Sequence, residues 1–297
     1  MAPVANNLSA LVLSASMIIL QACSNPNADK LAIEANELAR FDSDIRESSA
    51  LALHGDYLWT LNDSGGDAEI FKLGTDGEQL ETIEITNARN VDWESLAQDE
   101  EFLYIADTGN NANRRDSFVI YRVAWEKLTE LEASADIINF RYGDYDDSSR
   151  FSHNFDAEGL TVRGEELWLF SKNRGDGATN LYRFPKVPGS YEPMPSQTLL
   201  VDSLVTAADI NPLNGDLALL SSGRSNIGGE NYLWIAPTSD AGVGWGSMRS
   251  FLLSPSDQWE AMAWDTENGN LILSHERNRR HYSGLATISI NELKKYE

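Results

Sequence analysis

The chain has 297 residues, 42% of them hydrophobic, enough to bury a sizeable core. Its 46 acidic residues against 23 basic give a formal net charge of −23, a field that argues against binding nucleic acid or anionic lipid. A single cysteine, Cys23, excludes an intrachain disulfide.

Residues 8–22, LSALVLSASMIILQA, form an apolar stretch with the length of a signal-peptide core. It is shorter than the about 20 residues of a comfortable membrane span. LQAC resembles the lipobox of bacterial lipoproteins, with Leu20 and Ala22 ahead of Cys23. Gln21 and the first residues, MAPVANN, which lack Lys and Arg, depart from that pattern. The alternative is an uncleaved anchor or a buried N-terminal helix. The resemblance implies a signal peptide over 1–22, a lipid on Cys23 and a polar tether over 23–29. It further implies export, with the lipid as the one membrane attachment. Ser24 after the cysteine implies the outer membrane, so the protein is expected in the periplasm or at the cell surface.

From residue 30 onward the pattern is of short strands parted by Gly, Asn and Asp turns, with one short helix expected at WEKLTELEA (125–133). An acid followed by a short apolar run recurs along the chain. Glu47 begins ESSALALHGDYLWTLNDSG, Glu94 begins ESLAQDEEFLYIADTGN, Glu158 begins EGLTVRGEELWLFSKNR and Glu260 begins EAMAWDTENGNLILSHER. AADINPLNGDLALLSSGR (207–224) has the same shape with Ala208 in the acid's place and Asp209 beside it. Third strands follow at AEIFKLG, SFVIYRVA, TNLYRFPKV, NYLWIAP and LATISI, and fourth strands follow in four of the units. The anchors at 47, 94, 158, 208 and 260 lie 47, 64, 50 and 52 residues apart. A four-stranded unit repeating every 40 to 50 residues or so marks β-propeller blades. The expectation is an all-β single domain over 30–297 with five blades. A sixth is the alternative, should the long second unit with its loop GDYDDSSRFSHN (143–154) hide one. The last unit lacks a fourth strand, which KLAIEANEL (30–38) is placed to supply, closing the ring.

In such a blade the start of the inner strand and the end of the second share one face of the disc. That face gathers Glu47, Glu94, Glu158 and Glu260, with Asp63 and Asp107 close by, as candidate metal ligands. Hard oxygen donors suit Ca²⁺ or Mg²⁺ better than zinc. The alternative for each Glu is to accept backbone N–H groups and lock neighbouring blades. Lys172, Arg174, Arg224 and Arg277 sit at the same ends as candidates to grip an anion, and His275 as a candidate acid–base group. The opposite face receives HGD, QDEE, RGEE, NPLNGD and DTENGN, which read as solvated hairpins. Trp59, Trp168 and Trp234 read as core between blades. HERNRRH lacks the spacing of a helical zinc motif, and no nucleotide-binding fingerprint appears.

DWESLA, LYIADTGNNANRR and VIYRV, with FDAEGLTV, LWLFSK and LYRF, resemble the secreted bacterial propellers grouped with phytase-like esterase domains, over most of residues 45–185. The acid-lined, five-bladed plan is also similar to calcium-activated nucleotidases. The resemblance implies a propeller fold and, for some members, calcium-dependent phosphoester hydrolysis. Two functions follow as expectations: a monomeric envelope lipoprotein binding a small ligand or protein partner at its acidic face, or a Ca²⁺-dependent hydrolase of a phosphoester or other anionic substrate.

Overall fold

The computed structural model describes residues 31–147, 149–224, 229–276 and 282–296. Its strands form five antiparallel four-stranded blades. Blade 1 runs outward through Ser48–His54, Tyr57–Asn62, Glu69–Gly74 and Gln79–Ile85. Blade 2 uses Trp93–Gln98, Phe102–Asp107, Phe118–Ala124 and Asp136–Phe140. Blade 3 uses Ala157–Arg163, Glu166–Ser171, Thr179–Pro185 and Pro195–Leu199. Blade 4 uses Leu204–Ile210, Asp216–Ser222, Asn231–Ser239 and Arg249–Ser254. Blade 5 takes Trp259–Asp265, Asn270–His275 and Gly284–Ser289, then borrows Asn36–Arg40 from the start of the described chain as its outer strand.

Each blade is covered on both faces, so its inner strands read as near-continuous apolar runs rather than strict alternation. Leu217, Ala218, Leu219 and Leu220 are all buried, on two different sides of blade 4. Trp59, Trp168 and Trp234 are buried in the clusters between blades. The tight turns at Gly55 and Gly164 each place the glycine at φ +58, a conformation that side chains strain against.

The segment before an outer strand also reaches back to the preceding blade. Glu132–Ala133 pairs parallel with blade 1, Gly189–Tyr191 with blade 2 and Leu31–Glu34 with blade 4. At the boundary of blades 3 and 4 the Gln197 amide takes this role, accepting from the Val243 N–H at 2.9 Å and donating to its carbonyl at 2.8 Å. KLAIEANEL is therefore two strands serving two blades, not one. The helix expected over 125–133 is a single 3-10 turn, Trp125–Lys127, because Glu132–Ala133 is drawn into the sheet of blade 1. A short α-helix, Ile290–Lys294, ends the described chain. No helix among the described residues is long and apolar enough to cross a membrane.

Candidate functional site

Every inner strand breaks register with its neighbour at the same point, between Ser48 and Ala50, Trp93 and Ser95, Ala157 and Gly159, Val205 and Ala207, and Trp259 and Ala261. Such a bulge re-aims the extra residue's side chain. The extra residues are Ser49, Glu94, Glu158, Thr206 and Glu260. Glu47 and Ala208 are thus not the counterparts of the three glutamates, and the alignment on acids was two residues out in blades 1 and 4. Glu47 stands exposed, ahead of its strand. In the blades without a glutamate the bulged hydroxyl reaches the next blade: Ser49 Oγ donates to the Trp93 carbonyl at 3.3 Å and Thr206 Oγ1 to that of Trp259 at 3.0 Å.

Ser49, Glu94, Glu158 and Glu260 line a well of about 180 Å³, completed by Asp63, Asn111, Lys172 and Glu276. Two residues beyond each bulge the strands carry Leu51, Leu96, Leu160, Ala208 and Met262, all buried. The well shares no lining residue with the cavity at the other end of the ring.

Two clusters of acid oxygens meet there. One oxygen each from Asp63, Asp92 and Glu94 lie within 4.8 Å of one another, and so do those of Glu94, Asp156 and Glu158. The second cluster is neutralised from within the chain. Lys172 Nζ donates to both Glu158 oxygens at 2.5 Å. Arg174 Nε donates to Asp156 Oδ2 at 2.9 Å, while Asp156 Oδ1 accepts the Asn110 N–H at 2.8 Å. The first cluster has no cationic side chain paired to it among the described residues. Glu94, 5% exposed, accepts no hydrogen bond among those residues.

The electrostatics follow from that imbalance. Burial first, then Glu158 and Asp63, push the Glu94 carboxyl well above its usual range. Burial lifts Glu158 to about 8 against the opposing pull of Lys172, Glu260 and Glu276 to about 7, and Asp92 to about 6. Asp63 is also raised by burial. Lys172, flanked by these acids, stays protonated.

The remaining sequence candidates play other parts. Asp107 is buried but locked by Arg115, whose Nη1 lies 2.7 Å from its carboxylate, and it does not line the well. Lys172 and Arg174 face acids, not an open anion site. Arg224 is exposed and donates to the carbonyls of Arg174, Gly175 and Asp176, propping the loop that carries Arg174. His275 lies in a different pocket, edge-on to Trp259 and 3.7 Å from Asp257. Arg277 and Cys23 lie outside the described residues. Asp92 and Asp156 were not singled out. The signal was present, since each stands two residues before a bulged glutamate in DWE and DAE.

No protein family and no curated protein matches this sequence. Solved structures do match its shape. The glutaminyl cyclase of Myxococcus xanthus is 12% identical with a TM-score of 0.51, over 88% of this chain and 97% of that one. The chain is a five-bladed β-propeller. An exo-β-1,3-galactanase from Clostridium thermocellum is 13% identical with a TM-score of 0.55, over 85% of this chain and 61% of that one. The Phanerochaete chrysosporium exo-β-1,3-galactanase solved with β-1,3-galactotriose is 12% identical with a TM-score of 0.52, over 85% and 63%. The chain thus spans under two thirds of either galactanase. At these identities the likeness is one of fold.

Proposed function

We propose that the acid-lined well binds a divalent cation, and above it a small ligand or protein partner. The observation that carries this reading is Glu94, a buried carboxylate without a hydrogen-bond donor among the described residues that belongs to both acid clusters. Like charges so placed hold protons or take a cation. The donor set is all oxygen, from Asp63, Asp92 and Glu94 with Glu260 and the Ser49 hydroxyl at the wall, so Ca²⁺ fits better than zinc. Calorimetric titration of the chelator-treated protein with CaCl₂ tests it: saturable binding is expected, and none at millimolar calcium overturns it.

A second reading, a Ca²⁺-dependent hydrolase, is favoured by Glu260 and Glu276, which line one pocket and whose carboxyls burial pushes up to about 7, as suits general acids and bases. Because Lys172 and Arg174 face acids, an anionic substrate would be drawn in by the cation. Release of phosphate from a phosphoester, dependent on added calcium, would favour this reading over simple binding.

LQAC supports an exported protein tethered to the outer membrane through Cys23. Two signals anchor stably where one acyl chain is marginal. Cys23→Ser is expected to shift the protein from the membrane fraction to the soluble one, and an unchanged distribution refutes the anchor.

A further inference from the structure

The hairpins opposite the acid well, which read as plain solvated turns, enclose the larger cavity of the two, about 400 Å³. Its floor is apolar: Leu53, Val162, Ile210 and Trp264, from the far ends of four inner strands. At that floor lies Asp209, half-buried on blade 4. Its Oδ2 accepts the Trp264 N–H of blade 5 at 2.9 Å, its Oδ1 accepts the Ile210 N–H at 2.9 Å, and the Thr161 hydroxyl of blade 3 lies against it. No cationic side chain among the described residues pairs with it, and the lining contains neither Lys nor Arg. Asp56, Glu100 and Glu267 add negative charge at the rim. Burial pushes the Asp209 carboxyl up to about 7, as befits a charge lacking a counter-charge.

We infer that this cup is a second binding site, for a small organic ammonium ion with an apolar or aromatic body. The ammonium would sit against the Asp209 carboxylate and the body on Leu53, Val162, Ile210 and Trp264. Its volume lies in the range of small-molecule sites, some 300–1,000 Å³, and apolar and polar side chains both line it. An anion of the same shape meets six acidic side chains in the lining against one basic group, His54. The site shares no residue with the acid well and stands or falls independently of it.

The test uses phenethylammonium as the probe and phenylacetate as its anionic counterpart, titrated calorimetrically into the full chain. Phenethylammonium is expected to bind at one equivalent, with phenylacetate at least tenfold weaker. Asp209→Asn, which keeps the shape and one acceptor oxygen, should weaken phenethylammonium tenfold or more. Glu94→Gln, in the other cavity, should leave it unchanged. Equal affinity for both probes, no binding at millimolar phenethylammonium, undiminished binding by Asp209→Asn, or loss of binding in Glu94→Gln would each overturn the assignment. Should Asp209→Asn fail to fold, Val162→Phe narrows the cup without touching the carboxylate: lost binding supports the site, and full affinity overturns it.

Discussion

Glu94 and Glu158 occupy the same position in neighbouring blades, yet the structure predicts opposite effects for their amides. Glu94 has no counter-ion to lose, so Glu94→Gln removes repulsion with Glu158, Asp63 and Asp156 and leaves calcium-free stability equal or higher. It also removes the carboxylate common to both acid clusters, and with it the response to calcium. In the wild type, calcium at a hundred times its dissociation constant should stabilise by about 2.7 kcal/mol. For a domain of this size that is a rise in melting temperature of about 5–10 °C. Glu158→Gln instead strips the partner from Lys172, a side chain 12% exposed whose ammonium touches both Glu158 oxygens at 2.5 Å. An uncompensated buried charge costs about 3–5 kcal/mol. Glu260 and Asp156 still flank the lysine, so the lower figure applies, and the melting temperature should drop by about 6 °C or more. Differential scanning calorimetry of the three proteins, in chelator and in calcium, measures both quantities. A full calcium shift in Glu94→Gln, or a Glu158→Gln protein as stable as wild type, would refute the division of the acids into a cation-binding half and a self-neutralised half.

Glu260, Glu276 and Asp92 titrate above their ordinary values when folded, so the folded chain holds protons that the unfolded chain has released. Calcium-free stability should therefore fall as pH rises from about 5 to about 8, and calcium should flatten the fall; urea midpoints that rise with pH in chelator would contradict this. Arg115→Leu leaves Asp107, 1% exposed, without its counter-ion, and should lower unfolding free energy by about 3–5 kcal/mol in denaturant titration. Truncation through Arg40 uncovers Arg249–Ser254 of blade 4 and Gly284–Ser289 of blade 5 together. Light scattering should then show aggregation, and a monodisperse truncated protein of unchanged melting temperature would deny the segment its role at both edges.

Much of the architecture is local and was therefore legible. Strand and turn signals such as ALALHGDYLWTL lie within a dozen residues, and their recurrence near every 50 residues identifies blades without knowledge of any contact. Local pattern also put Glu94, Glu158 and Glu260 on one face. Register was less visible, because a bulge is a property of two paired strands. Aligning acids equated Glu47 with Glu94, whereas the pairing of Ser48 with Asn62 and of Ala50 with Leu61 makes Ser49 the equivalent residue.

What the sequence could not decide was which charges find each other. Arg115 reaches back eight residues to Asp107, and Arg174 eighteen to Asp156, while Arg224 props a loop of another blade. Such pairings depend on loop paths and on burial, which a list of residues does not carry. Asp209 looked like a displaced anchor acid in blade 4; only the closure of the ring sets its carboxylate between Thr161 and Trp264 at the opposite mouth. The sequence by itself determined five blades and the face bearing the bulged glutamates, because periodicity and turn chemistry act over a few residues. The tertiary structure alone decided which carboxylates keep a counter-ion and which do not, because that balance is struck between side chains brought together from separate blades.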